Sequence, residues 1–134
     1  MPYYRLFHHF VWATKDRLPL ITDANREPIY ATIRAKTTEL HGIVHALNGM
    51  DDHIHLIVTV PPSASLSTFV GQVKDVSSHL ANQISSAAFA WQGEYGAVSV
   101  SESHLPRVIR YVAMQQQHHT AGTLDPRFEQ CESE

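Results

Sequence analysis

The chain of 134 residues carries ten lysines and arginines against thirteen aspartates and glutamates, which gives a formal net charge of −3 at pH 7. This balance counts against a bulk electrostatic nucleic-acid binder, although a local basic strip can serve the same purpose. An apolar content of 43% and a charged content of 17% are typical of one globular domain with a single core.

The sequence lacks the segments that direct a chain into a membrane or out of the cell. No run approaches the roughly 18 apolar residues of a membrane-spanning helix, and residues 1–5 do not have the layout of a signal peptide. The single cysteine, Cys131, excludes an intrachain disulfide and fits a reducing compartment. We therefore expect a cytoplasmic protein without a membrane partner.

The first predicted element is a strand over Tyr4–Thr14, which is rich in aromatic and β-branched residues. Both of its alternating faces are largely apolar, which indicates a central strand covered on two sides. Lys15 and Arg17 follow at the end of this strand. Two interpretations stay open for them: a phosphate contact or a solvated loop.

The next predicted element is a helix that ends at His41–Gly42, where glycine favours termination. Thr22 or Asp23 can cap its start, and Pro28 then takes an early helical position. Residues 43–50 follow as a second strand.

A short turn at residues 51–52 leads into a third strand, so the second and third strands should form an antiparallel hairpin. On the third strand, apolar residues alternate toward one face, which predicts a core contact; they are Ile54, Leu56, Val58 and Val60. His53 and His55 share the other face. Two neighbouring imidazoles form a natural site for a divalent metal, and ordinary polar residues on an exposed strand are the alternative.

A second helix is predicted over Leu66–Ser85, after the prolines at 61–62 stop the preceding strand. Apolar residues recur along it at three- and four-residue spacing, which indicates an amphipathic helix packed on a sheet. Lys74 is the one cation on its polar side. Solvation and a nucleic-acid contact explain this lysine equally well.

The last predicted elements are a short edge strand at residues 97–101 and a helix from about Leu105 to Thr120. Along that helix Tyr111, Gln115 and His118 fall on one face, because they are spaced by four and three residues. The following residues are polar, and this tail is expected to be loose. We predict one domain over residues 1–122 and a polar C-terminal tail over 123–134.

The order of elements, β-α-β-β-α-β-α, predicts an α+β fold of the ferredoxin-like type: a four-stranded antiparallel sheet with two helices on one face. The extra C-terminal helix must then cover the other face or an edge of the sheet. In that position it would bring Tyr111 and Gln115 toward His53 and His55.

The chain resembles the HUH-type single-tyrosine transposases of small insertion sequences, the IS200-like family. The resemblance is carried by four segments in the family's order: WATK at 12–15, LNGMDDHIHLIV at 47–58, WQGEYGAVSVS at 91–101 and RYVAMQQQHH at 110–119. Two positions depart from the family's pattern. Asp51 stands where proline is frequent, and Met114 stands where asparagine is common.

The resemblance implies a role for four residues. His53 and His55 match the metal-binding histidines, Tyr111 matches the nucleophile, and Gln115 matches the side chain that completes the metal site. The implied activity is a DNA transposase that cuts and rejoins single-stranded DNA through a 5′-phosphotyrosine. Its cofactor would be Mg²⁺ or Mn²⁺, without a nucleotide cofactor.

The resemblance also implies a homodimer that recognises DNA hairpins at the element's ends. Among the cations available to contact such DNA, four are candidate DNA-binding residues: Lys15, Arg17, Lys74 and Arg110. With few cations, binding should be modest and weaken as salt rises.

Three other functions are compatible with parts of the sequence. A histidine-triad nucleotide hydrolase would need a third histidine where this chain has Ile57. A metal-dependent nuclease that activates water would not depend on Tyr111. A DNA-binding relative that has lost catalysis would bind DNA without cutting it.

Overall fold

The computed structural model describes residues 3–115, 122 and 124–131. Four strands are present in these residues: β1 (His8–Ala13), β2 (Ile43–Gly49), β3 (His53–Thr59) and β4 (Gly96–Ser99). The same residues include the α-helices α1 (Arg26–Glu39), α2 (Leu66–Ile84), α3 (Leu105–Ala113) and the short α4 (Pro126–Glu129). Within the described ranges, no helix is long and apolar enough to cross a membrane.

The strands form one antiparallel sheet in the order β2-β3-β1-β4. β1 and β3 are therefore central, and their register places Val11 opposite His55 and Ala13 opposite His53. This order is that of the ferredoxin-like arrangement. The predicted fold class, including the hairpin of the second and third strands, is confirmed.

One face of the sheet packs on α1 and α2 and forms the main core. Phe10 and Trp12 of β1 join Ile54 and Leu56 of β3 in this core, and all four are fully buried. The alternation predicted for the third strand is confirmed, because its even-numbered residues point to this side. The odd-numbered histidines consequently face the other side.

The other face of the sheet is covered by α3. Val108, Tyr111 and Val112 pack on Ile57 of β3 in a second, smaller cluster. As a result, all seven residues of β3 are buried. The extra helix thus lies on the face that the topology predicted, over β2 and β3, and β3 carries the two histidines.

Several element boundaries differ from the prediction. Asn25 is the N-cap of α1, in place of Thr22 or Asp23. β4 spans Gly96–Ser99 instead of residues 97–101.

The first strand and the end of α1 differ as well. β1 begins at His8 instead of Tyr4. After α1, His41 adopts the left-handed conformation with φ of 64°, whereas glycine was expected to provide it. Gly42 is instead required by close packing, because a Cβ there would lie 2.9 Å from Thr37 Cγ2 and 3.0 Å from the Thr59 carbonyl oxygen.

The C-terminal region also differs from the prediction. α3 ends at Ala113, and the remainder of the helix expected over residues 105–120, with His118, lies outside the described residues beyond Gln115. Residues 124–131, expected to be loose, pack against the sheet, and Cys131 is buried on Val11. The division of the chain at residue 122 stays a prediction.

Gly71 lies in the interior of α2, and a Cβ at this position would meet no heavy atom within 4 Å. We expect Gly71→Ala to stabilise the protein by about 0.5–1 kcal/mol, because alanine loses less backbone entropy in a helix. Urea unfolding followed by circular dichroism measures this change. A lower midpoint than that of the unchanged protein would contradict the description of this helix.

Candidate metal centre and nucleophile

The side chains of His53 and His55 converge on one point on the α3 side of the sheet. Both are buried, with exposed fractions of 1% and 0%. The carboxylate of Glu129, at the end of α4, reaches the same point. Its Oε1 atom lies 3.3 Å from His53 Nε2 and 3.1 Å from His55 Nε2.

These separations fit donors that share one ion. Ligands about 2.1 Å from a metal and at right angles to each other are about 3 Å apart. Gln115 adds an amide oxygen, because its Oε1 lies 3.2 Å from His53 Nε2 and its side chain is fully buried. His53, His55 and Glu129 form a candidate metal group on their own. The donor set of two imidazoles and two oxygens therefore fits a divalent ion.

The other nitrogen of each imidazole is held by a second partner. His53 Nδ1 lies 2.7 Å from Asp52 Oδ1, and His55 Nδ1 lies 2.9 Å from His9 Nε2. Burial, together with the nearby His55, lowers the pKa of His9 to about 3, so this residue is neutral. Such contacts fix the ring orientation of metal-binding histidines. Here they direct both Nε2 atoms at the common point.

Tyr111 projects from α3 toward the same carboxylate. Its hydroxyl donates a hydrogen bond to Glu129 Oε2 and accepts one from the Asp125 backbone N–H at 3.0 Å. The phenol ring meets the His55 ring edge to face, with centroids 6.1 Å apart. Burial and the bond to Glu129 raise the pKa of Tyr111 to about 12. The hydroxyl is therefore protonated in this arrangement.

The charges of the cluster are coupled. Burial acts to raise the pKa of Glu129, but hydrogen bonds from His53 and His55 outweigh it and lower this pKa. Burial acts to lower the pKa of His53, but the bonds of this imidazole to Glu129 and Asp52 outweigh burial and raise the pKa. An ionised carboxylate thus faces an imidazole that readily holds a proton. A divalent cation would neutralise the negative charge of the Glu129 carboxylate in place of that proton.

The structure brings together all four residues of the predicted site: His53, His55, Tyr111 and Gln115. His53 and His55 come from β3 and Tyr111 from α3, and Gln115 follows two positions after the end of α3. Their assigned roles as metal ligands and nucleophile stay predictions.

Of the predicted DNA-binding residues, Lys15 and Arg17 border a cleft of about 770 Å³ that Glu129 also lines. Arg17 pairs with Asp52 at 3.6 Å, which places this cation beside the histidine cluster. Arg110 is exposed on α3.

Lys74 is engaged elsewhere. Its ammonium group donates to the backbone carbonyl oxygens of Gln92 and Glu94, at 2.6 and 3.2 Å. Burial lowers the pKa of Lys74. These contacts favour a role in anchoring the loop at residues 92–94, and they do not bring Lys74 into the histidine cluster.

Glu129 joins the cluster although the sequence did not predict it. The polar composition of the tail concealed it, because a polar segment is typical of a loose terminus. A local signal was nevertheless present. Asp125 caps α4 by accepting from the Arg127 N–H, and Pro126 takes the first helical position, which is a common way to begin a helix.

The fold and the cluster define a class of protein: a ferredoxin-like domain that sets a tyrosine hydroxyl beside two histidines on a central strand. The family model of IS200-like transposases matches residues 2–115. The chain therefore belongs to the IS200-like transposase family, and by family it is a DNA transposase. A search of curated proteins found no match.

Solved structures share the fold, two of them over most of this chain. One is a crystal structure from Deinococcus radiodurans R1, provisionally assigned as a transposase, with a TM-score of 0.69 and 23% identity over 86% of this chain and 95% of that chain. The other is a REP-associated tyrosine transposase bound to a REP hairpin, with a TM-score of 0.67 and 14% identity over 92% of this chain and 76% of that chain. At these identities the likeness concerns the fold.

Proposed function

We propose that this transposase cleaves and rejoins single-stranded DNA at insertion-sequence ends through a covalent 5′-phosphotyrosine. The observation that carries the proposal is the position of the Tyr111 hydroxyl. It shares the Glu129 carboxylate with both His53 and His55, so the nucleophile adjoins the candidate metal ligands. Family membership supplies the DNA substrate.

The chemistry is a transesterification that conserves the number of phosphodiester bonds. The phenol oxygen of Tyr111 bonds to phosphorus, the bond from phosphorus to the 3′ oxygen breaks, and the released strand ends in a 3′-hydroxyl that takes up a proton. The reverse attack by a second 3′-hydroxyl restores the phenol and joins new ends. Because the reaction is reversible, the same site can cut and rejoin DNA. The reaction needs no nucleotide cofactor.

His53, His55 and Gln115 would hold the divalent ion, Mg²⁺ or Mn²⁺. When bound, such an ion neutralises charge on a phosphate and makes its phosphorus more electrophilic. Mixed nitrogen and oxygen donors are tolerated better by Mn²⁺ than by Mg²⁺. Both imidazoles are buried.

The DNA would enter along the cleft lined by Lys15 and Arg17, which Glu129 also lines. Cations at this edge can hold the phosphates on either side of the scissile bond. Recognition of a hairpin is supported by the relative that was solved with a REP hairpin. We further propose a homodimer, the commonest symmetric assembly.

The polarity of the covalent adduct tests the proposed reaction. Single-stranded DNA from the element's own end is labelled at either its 5′ or its 3′ terminus and incubated with Mn²⁺ before denaturing electrophoresis. We expect the 3′ label to move into a slow protein adduct and the 5′ label to appear in a short free strand.

Other outcomes would contradict the proposal in different ways. Free products from both labels would indicate a nuclease that uses water. Binding without cleavage would indicate a DNA-binding relative that has lost catalysis. An adduct that carries the 5′ label would reverse the assigned chemistry.

A further inference from the structure

Glu129 lies outside the part of the chain that the family model matches, which ends at Gln115. We propose that Glu129 is the anionic ligand of the metal centre, with Oε1 on the ion and Oε2 holding the Tyr111 hydroxyl. The inference rests on the proposed function, in which His53 and His55 bind a divalent ion. It makes the C-terminal segment, residues 124–131, a part of the catalytic centre.

The first argument concerns charge. Mg²⁺ and Mn²⁺ are hard cations that proteins usually bind through one or more carboxylates. His53, His55 and Gln115 offer only neutral donors. The carboxylate of Asp52 bonds to Nδ1 of His53, on the side of the ring away from the common point. Among the described residues, Glu129 is the acidic group whose oxygen lies within ligand distance of both imidazoles.

The second argument concerns how the carboxylate is placed. The C-terminal segment is fixed by its own contacts, so Glu129 does not depend on attraction to the histidines alone. A Cβ at Gly96 would lie 1.9 Å from the Gln130 carbonyl oxygen, which shows how closely the segment approaches β4. Cys131 is buried on Val11 and Ala13 of β1. The carboxylate itself is only 17% exposed.

The third argument concerns the nucleophile. One carboxylate contacts both the histidine pair through Oε1 and the Tyr111 hydroxyl through Oε2. The Asp125 N–H holds the same hydroxyl from the other side. A carboxylate that contacts both groups would hold the Tyr111 hydroxyl near a bound ion, and such orientation contributes strongly to catalysis.

A competing explanation makes the opposite prediction. A carboxylate between the nucleophile and the histidines could occupy the place of the scissile phosphate, so that the C-terminal segment blocks the site. Removal of Glu129 would then increase cleavage and leave metal affinity unchanged. A ligand role requires a loss of both.

Metal affinity measured without DNA tests the inference directly. Mn²⁺ is titrated into the full chain, and the free ion is followed by its electron paramagnetic resonance signal. We expect Glu129→Gln, which keeps the size of the side chain, to weaken binding at least tenfold and to slow cleavage. Glu94→Gln is the matched control, because Glu94 is exposed and its contact with Lys74 is made by the backbone carbonyl. The Mn²⁺ affinity of this variant should stay within twofold of that of the unchanged protein.

A second pair of variants tests the segment without altering the carboxylate. Gly96→Ala places a Cβ against the Gln130 backbone, so it should displace the segment and weaken Mn²⁺ binding. Gly93→Ala is its control, since a Cβ there meets nothing within 4 Å. Circular dichroism of each variant verifies that the domain is folded.

The outcomes separate this inference from the proposed function. If His53→Ala binds Mn²⁺ as tightly as the unchanged protein, the assignment of the metal site to the histidine pair is wrong. If His53→Ala loses binding but Glu129→Gln and Gly96→Ala keep it, only the role of Glu129 is overturned. Faster cleavage by Glu129→Gln at unchanged affinity would establish the blocking segment instead.

Discussion

Tyr111→Phe is expected to abolish the covalent protein–DNA adduct and to leave DNA binding within about twofold. The substitution removes a single oxygen atom, the one that would bond to phosphorus in the proposed transesterification. The phenylalanine ring retains the packing of Tyr111 on Ile57 and Phe128. Loss of a nucleophile that no other group replaces lowers the rate by several orders of magnitude, on the order of 10⁴-fold or more.

The matched control for this experiment is Tyr30→Phe. Tyr30 is also a buried tyrosine, but it lies in α1 within the core on the opposite face of the sheet. Its hydroxyl is therefore remote from the histidine cluster, and this variant should form the adduct at the normal rate. The adduct is counted on a denaturing gel, and binding is measured separately by fluorescence anisotropy.

Cleavage that persists in Tyr111→Phe would contradict the assignment of the nucleophile. Free cut product without an adduct would then indicate a hydrolytic nuclease that uses the same metal centre. An adduct that persists would mean that another side chain attacks the phosphorus.

The fold was predictable from the sequence because its elements carry strong and separate signals. β3 alternates between core residues and histidines, and this period of two fixed both its conformation and the face of each imidazole. α2 carries a regular apolar stripe. Only the helix–strand order was then needed to place α3 on the free face of the sheet.

Glu129 and the turn at His41 were not predictable in the same way. Asp125 and Pro126 mark the start of α4 in the sequence, but they do not reveal where this helix packs. The position of Glu129 depends on a backbone contact between Gln130 and Gly96, which are far apart in sequence. At the end of α1, glycine was the expected left-handed residue. Gly42 is instead needed because Thr37 and Thr59 pack so closely on it that a side chain would not fit. His41 therefore takes the unfavourable φ. Long-range packing decided both cases.

His55→Ala should remove measurable Mn²⁺ binding and reduce cleavage below detection. His55 is fully buried, and its Nε2 atom lies 3.1 Å from the Glu129 oxygen that shares the common point. Alanine offers no donor there, so a bound ion would lose one of its two imidazole ligands.

His45→Ala provides the control for a lost imidazole in the same sheet. His45 lies in β2, and its Nε2 atom bonds to the Thr59 hydroxyl at 2.7 Å, remote from the cluster. This variant should keep its Mn²⁺ affinity within about twofold, whatever stability it loses with that hydrogen bond, commonly about 1 kcal/mol. Equal losses of affinity in His55→Ala and His45→Ala would mean that the metal responds to the stability of the sheet and not to an imidazole ligand. If only His55→Ala loses Mn²⁺ affinity and its fold is intact, the result would support His55 as a metal ligand on the central strand β3.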